Sequence, residues 1–234
     1  MNDIFAPQIP RVPITGTDSL FPVHRIFCVG RNYVDHAIEM GHSGREDPFF
    51  FLKPSHCIAL AQANSQAILN WPYPSLSSDV HHEIELVVAI GQSGQNIQPE
   101  NAHEHIFGYA VGLDMTRRDL QAEMKKQGRP WSIGKAFDAS APISAITPKE
   151  QVQDIEQAVI QLFVNQQLQQ SSNISHLIWN VPEIIAHLSK AWKLQAGDLI
   201  YTGTPAGVGK VQVGDRLIGE IKGLSSLELK VVAP

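Results

Sequence analysis

Short runs of strand-type residues, cut apart by glycine-rich turns, constrain the fold of this chain more than any other feature. The runs fall at 26–29, 83–90, 108–113, 159–164, 198–202, 216–221 and 227–232, with the clusters GQSGQ, TGTPAGVG and KGLSS between them. Strands of this length joined by such turns favour a mainly β sandwich or roll over alternating βαβ units. Three short helical patterns interrupt the series, at 32–40, 116–127 and 182–192. The second opens with T-R-R-D, a capping-box variant at Thr116, and stops at Gly128. The third carries Pro182 at its start and Ile184, Ile185, Leu188 and Trp192 at helical spacing.

A length of 234 residues suits one domain with a real core. Residues 1–21 are proline-rich and aperiodic, which predicts a mobile arm or surface tail before a single domain over 22–234. Lys and Arg total 18 against 23 Asp and Glu, a net charge of −5. That balance leaves no basic footprint for nucleic acid or an anionic membrane. Cys28 and Cys57 are too few for a disulfide framework or a four-thiolate zinc site, and read as core thiols in a reducing compartment. The opening MNDIFAPQIP lacks signal-peptide character, and the apolar run at 86–90 is far too short for a membrane span. The expectation is a soluble, cytoplasmic protein.

The acids carry the first chemical signal. In HHEIELVV, a strand's period of two puts Glu83 and Glu85 on one face and Ile84 and Leu86 on the other. Adjacent carboxylates repel, so either they form the wet face of an antiparallel strand or a cation holds them. Asp114 follows the apolar run 108–113, where a strand gives way to a helix. Three oxygen ligands without cysteine suit Mg²⁺ or Mn²⁺ and leave positions open for substrate and water. His81 shares the parity of the glutamates, as an added ligand or a surface histidine.

Other residues add candidates. In RNYVDHAIEMG, His36 and Glu39 stand three apart, neighbours on a helix surface. A carboxylate beside an imidazole is the arrangement a water-activating base requires, and also an ordinary surface pair. Gly30, Gly41 and Gly44 flank this segment, as they would a closing lid. Arg118, Gln121 and Lys125 share one helical stripe, whose Arg–Gln face is able to hold a substrate carboxylate or oxygen, or is simply solvated. Lys135, among apolar neighbours in WSIGKAFD, would be desolvated unless it meets an anion. The loop 203–210 fails the phosphate-loop pattern: its spacing is one residue too long, no Ser or Thr follows Lys210, and a strand comes next.

Six blocks in order, VGRNYVDHAIEMG, PFFFLKPSHCI, HHEIELVVAIG, GYAVGLDMTRRDLQ, GRPWSIGKAFD and GDLIYTGTPAGVG, resemble the fumarylacetoacetate hydrolase family. The resemblance is closest to the small single-domain branch of acylpyruvate hydrolases and oxaloacetate decarboxylases. It implies a mixed β-sandwich roll with short helices (α+β), usually a homodimer. It also implies Glu83, Glu85 and Asp114 as Mg²⁺ or Mn²⁺ ligands, and His36 with Glu39 as the water-activating dyad. Arg118, Gln121, Lys135 and Thr204 match positions that contact the carboxylate and oxo groups of a small 2-oxo acid, with Lys135 also adding charge at the enolate. The implied activity is hydrolysis of an acylpyruvate to pyruvate and a carboxylic acid. Oxaloacetate decarboxylation, isomerisation of a 2-hydroxydienoate from aromatic catabolism, and non-catalytic metal binding are the alternatives. One departure stands out: Asn165-Gln166 occupies a hairpin turn where relatives carry Asn-Gly.

Overall fold

The computed structural model describes residues 4, 8–34, 46–60 and 68–234. Two large sheets dominate. The first runs Thr147–Pro148, Ile106–Leu113, Ile84–Ile90, Leu199–Tyr201, Ile26–Gly30, Phe49–Lys53. Its neighbours are antiparallel except Leu199–Tyr201 beside Ile26–Gly30. The second runs Gln167–Asn173, Val159–Val164, Arg216–Ile221, Leu227–Val232, Leu69–Pro72, and its last pair is parallel. The expected mainly β sandwich with short helices is what forms. No helix among the described residues is long and apolar enough to cross a membrane.

The alternation of side chains explains why the first sheet is buried on both faces. Along Ile84–Ile90, Ile84, Leu86, Val88 and Ile90 enter a core shared with Ile160, Leu162, Leu217 and Leu229 of the second sheet. Val87 and Ala89 enter a separate core with Ile26, Cys28, Cys57, Leu199 and Tyr201. Glu83 and Glu85 share the parity of that second set. The sheets approach closely at Gly219, where a Cβ would lie 3.1 Å from Val111 and 3.2 Å from Ile84.

Three local expectations need correction. Within the supposed arm, Arg11–Pro13 and Leu20–Pro22 form an antiparallel hairpin whose Val12 and Phe21, with the following Val23, are buried in the second core. The proline-rich composition conceals this because each strand buries so few side chains. The second helix begins at Arg118, not Thr116. Thr116–Arg117 instead pairs with Val80–His82, the Thr116 hydroxyl binds Lys135, and Asp119 accepts from Ser77 at 2.7 Å, so no capping box closes. The third helix spans Val181–Ala191, and its capping box uses Asn180 and Glu183. Of the first helical pattern, everything beyond Val34 lies outside the described residues, and with it His36, Glu39, Gly41 and Gly44.

The hairpin joining Val159–Val164 to Gln167–Asn173 turns through Asn165 (φ 51°) and Gln166 (φ 67°). Both are left-handed, as a two-residue turn of this type requires. Asn165 is anchored by a bond to Asp215 and one from the Arg216 amide, whereas a left-handed glutamine is strained. Gln166→Gly is therefore expected to stabilise the protein by about 0.5–1 kcal/mol, read as a rise in Tm of about 1–4 °C. An unchanged or lower Tm would contradict this account of the turn.

Candidate metal centre and substrate cleft

The site is assembled where the first sheet meets the short strands beneath it. Glu83 immediately precedes the strand Ile84–Ile90, Glu85 sits within it, and Asp114 follows the partner strand Ile106–Leu113. The register Ile84↔Leu113, with the Asp114 amide bonding the Glu83 carbonyl at 2.9 Å, brings the three acids together. One ligand atom from each lies within 4.8 Å of the others. Their exposures are 6%, 2% and 1%, so the wet-face reading of Glu83 and Glu85 fails. His81 pairs with Asp79 at 3.1 Å instead of joining the acids.

Three cations offset these carboxylates. Lys135, 3% exposed, donates to Glu83 Oε2 at 2.7 Å, Asp114 Oδ2 at 2.6 Å and Thr116 Oγ1 at 2.7 Å. Arg118 donates to Glu83 Oε1 and, at 2.6 Å, to Gln121 Oε1. Lys53, which the sequence reading did not single out, is fully enclosed with its Nζ 2.8 Å from Asp114 Oδ1. Its three N–H groups are engaged by the carbonyls of Met115, Lys135 and Ser140. Asp114 Oδ1 is thus left buried without a hydrogen bond despite the nearby charge. The hint in the sequence was a lysine at inward parity ending FFFLK, opposite Ile26.

The electrostatics follow from burial and spacing. Burial raises the Glu83 carboxyl, but Lys135 and Arg118 against it prevail and hold it well below the ordinary carboxylate range. Among the described residues, Glu85 has no such cation in contact. Burial, then the charges of Asp114 and Glu83, push it well above that range, opposed by the Gly203 amide, which donates to it at 2.7 Å. Burial lowers Lys135, yet Asp114 and Glu83 outweigh it and raise its pKa. An unbonded buried carboxylate oxygen, a second carboxyl held high by its neighbours, and an all-oxygen donor set fit a hard divalent cation such as Mg²⁺ or Mn²⁺.

The remaining candidates line one cleft with the acids. Arg118, Gln121, Lys125, Lys135 and Thr204 all face it, together with Arg31, Phe49, Phe51 and Trp131. Thr204 is held by Gln170, a buried side chain that sequence reading missed. Gln170 Nε2 donates to Thr204 Oγ1 and to the Pro205 carbonyl, each at 2.8 Å. Its Oε1 accepts from His82 Nδ1 at 3.0 Å and from the Ile84 amide at 3.1 Å, tying the loop to the strand of the acids. Asn32 makes a second tie, donating to the Trp179 and Thr202 carbonyls and accepting from the Trp179 amide. No periodicity marks either residue.

A buried carboxylate triad on a mixed β-sandwich, roofed by a basic helix, defines a hard-cation site for anionic ligands. Residues 25–232 match the family profile described as fumarylacetoacetate (FAA) hydrolase C-terminal, and the chain belongs to that family. It is 47% identical over 186 residues to a fumarylpyruvate hydrolase of a Ralstonia species, covering 80% of this chain and 93% of the relative. It is 42% identical over 209 residues to the mitochondrial oxaloacetate tautomerase FAHD1 of Bos taurus, covering 89% and 92%. The crystal structure of fumarylpyruvate hydrolase from Pseudomonas aeruginosa in complex with Mn²⁺ and pyruvate superposes with a TM-score of 0.96, at 49% identity and 100% coverage of both chains.

Glu85 gives a pH test in metal-free protein. A carboxyl whose folded pKa is raised stabilises the fold below its unfolded pKa, and that contribution is lost as pH rises through the folded value. Glu83, held low, behaves oppositely and loses its contribution only in acid. The Tm of the wild type minus that of Glu85→Gln should therefore fall steadily as pH rises above the ordinary carboxylate range. Mn²⁺ should raise the Tm of the wild type and not of the variant. A pH-independent difference, or equal stabilisation by Mn²⁺, would refute this assignment.

Proposed function

We propose that this protein hydrolyses an acylpyruvate to pyruvate and a carboxylic acid. The charge inventory carries the reading. Glu83, Glu85 and Asp114 are already faced by Lys53, Lys135 and Arg118. A divalent cation would add two positive charges that only an anionic ligand offsets, and a 2-oxo acid passing to its enolate carries two negative charges. Mg²⁺ or Mn²⁺ held by the triad would supply Lewis acidity toward the oxygens of such a ligand. The Pseudomonas aeruginosa relative, crystallised with Mn²⁺ and pyruvate, supports this choice of ligand.

The chain's own residues divide the remaining work. Gln121 Oε1 already accepts from Arg118, which leaves its amide nitrogen as a donor beside the guanidinium for the substrate carboxylate. Thr204 Oγ1 accepts from Gln170, so its proton is free for a substrate oxygen. Lys135, fixed by three acceptors, stays protonated and places positive charge where the enolate forms. The family resemblance assigns His36, with Glu39, as the base that takes a proton from water, and the hydroxide oxygen attacks the acyl carbonyl carbon. The bond to the adjacent methylene breaks, and its electron pair passes into the pyruvate enolate. A proton returned to that carbon completes pyruvate, and the acyl group leaves as the carboxylic acid.

The same fixed charge serves any route to an enolate, including loss of carbon dioxide from oxaloacetate or proton transfer in a 2-hydroxydienoate. Identity of 42% with an oxaloacetate tautomerase favours keeping enolate chemistry without hydrolysis as a second reading. We further propose a homodimer, on the family resemblance, and a reducing cytoplasmic location, consistent with the buried free thiols of Cys28 and Cys57.

Purified protein should cleave acetylpyruvate with Mg²⁺ or Mn²⁺ and lose that activity in EDTA. His36→Ala should lower kcat by about 10²–10⁴-fold and Lys135→Met by about 10²–10³-fold. Turnover that survives chelation, or equals the wild type in His36→Ala, would defeat the hydrolytic mechanism. A faster initial rate on oxaloacetate or a hydroxydienoate than on acetylpyruvate would favour the second reading.

A further inference from the structure

The cleft holds more positive charge than its chemistry uses. Four cations, Arg31, Arg118, Lys125 and Lys135, line it against three carboxylates, Glu83, Glu85 and Asp114. Arg118 and Lys135 bind those acids. Arg31 and Lys125 form no ion pair with any carboxylate among the described residues. Each instead lies over an aromatic ring, Arg31 above Phe49 at 5.4 Å and Lys125 above Trp131 at 5.8 Å from the ring centroid.

 The two rings meet edge-on, 5.5 Å between centroids at 87°, and form an apolar part of the cleft lining beside the two cations. Arg31 has a left-handed backbone (φ 53°), a conformation that costs an arginine what it would not cost a glycine. Burial and the nearby charges of Arg31 and Arg118 lower the pKa of Lys125, as expected of like charges gathered around a place meant for an anion.

The helix sets the spacing. Arg118 and Lys125 are seven residues apart on Arg118–Lys126, two turns along one stripe, or about 10 Å of rise. Arg118 and Gln121 therefore stand toward the start of this stripe and Lys125 at its far end, on the same cleft as Arg31. We propose that Arg31 and Lys125 form a second anion subsite, which recognises a terminal carboxylate on the acyl group of the substrate. Resting on the hydrolytic reading above, this narrows the substrate class to acylpyruvates whose acyl chain is short, flat enough to lie along Phe49 and Trp131, and ends in a carboxylate. Arg31 and Lys125 act in binding and selectivity, not in bond cleavage.

The test uses the full chain with Mn²⁺ and two ligands, fumarylpyruvate, which ends in a carboxylate, and acetylpyruvate, which does not. The ratio kcat/KM is measured in protein with His36 intact, and the calorimetric Kd in the same proteins inactivated by His36→Ala. The wild type should prefer fumarylpyruvate by at least about 10-fold, and Arg31→Gln or Lys125→Gln should each cut that preference by about 10-fold or more. Arg31→Lys and Lys125→Arg should retain most of it, which separates lost charge from a damaged fold. Equal use and equal binding of the two ligands by the wild type, or a preference unchanged in both glutamine variants, would overturn the subsite while leaving hydrolysis standing. Binding preference that depends on Arg31 and Lys125, with neither ligand cleaved by the wild type, would sustain the subsite and overturn hydrolysis.

Discussion

Three carboxylates crowded into a buried space are the constraint on which the rest of this structure depends. Like charges at that spacing, out of water, are costly. The fold offsets them with Lys53, Lys135 and Arg118, drawn from a strand, a four-residue helix and the start of a longer helix. Lys135 and Arg118 bond side chains, whereas Lys53 also fastens backbone. Lys53 gathers the carbonyls of Met115, Lys135 and Ser140, so the segments that follow Asp114 and contain Lys135 are held to the strand Phe49–Lys53. At Lys53, charge balance and loop placement are therefore one arrangement, and its removal would disturb both.

Much of this was legible in the sequence, for identifiable reasons. The pattern E-I-E-L followed by Asp114 announced a shared face because strand parity is local and rigid. Lys135 declared itself by standing among apolar residues. The sandwich followed from short strands and glycine-rich turns. By contrast, Lys53, Gln170 and Asn32 act through partners far away in the chain: Asn32 reaches Thr202, and Gln170 reaches His82 and Thr204. Nothing in their neighbouring residues encodes those partners. The hairpin at Arg11–Pro13 and Leu20–Pro22 was hidden for a related reason, since strands of three residues are too short for alternation to show.

Local rules also yielded where tertiary partners competed for the same atoms. Thr116 has the chemistry of a helix cap, but its hydroxyl binds Lys135 and its backbone pairs with His81. The helix consequently starts at Arg118, and its polar stripe keeps the spacing of Arg118, Gln121 and Lys125. From that start, Arg118 faces Glu83, and Gln121 and Lys125 follow along the same wall of the cleft.

Chemistry and selectivity consequently rest on different supports. The acids and Lys135 stand on paired strands and a short helix tied by buried bonds, where small displacements would be resisted by the whole sheet. Lys125 lies near the far end of its helix, and Arg31 follows the last residue of the strand Ile26–Gly30. Changes at these outer positions can alter which acyl group fits without disturbing the charge balance around Glu83, Glu85 and Asp114. Two relatives bear the names of different reactions, a fumarylpyruvate hydrolase and an oxaloacetate tautomerase, and in this chain the residues proposed for selectivity stand apart from those that balance the carboxylate centre.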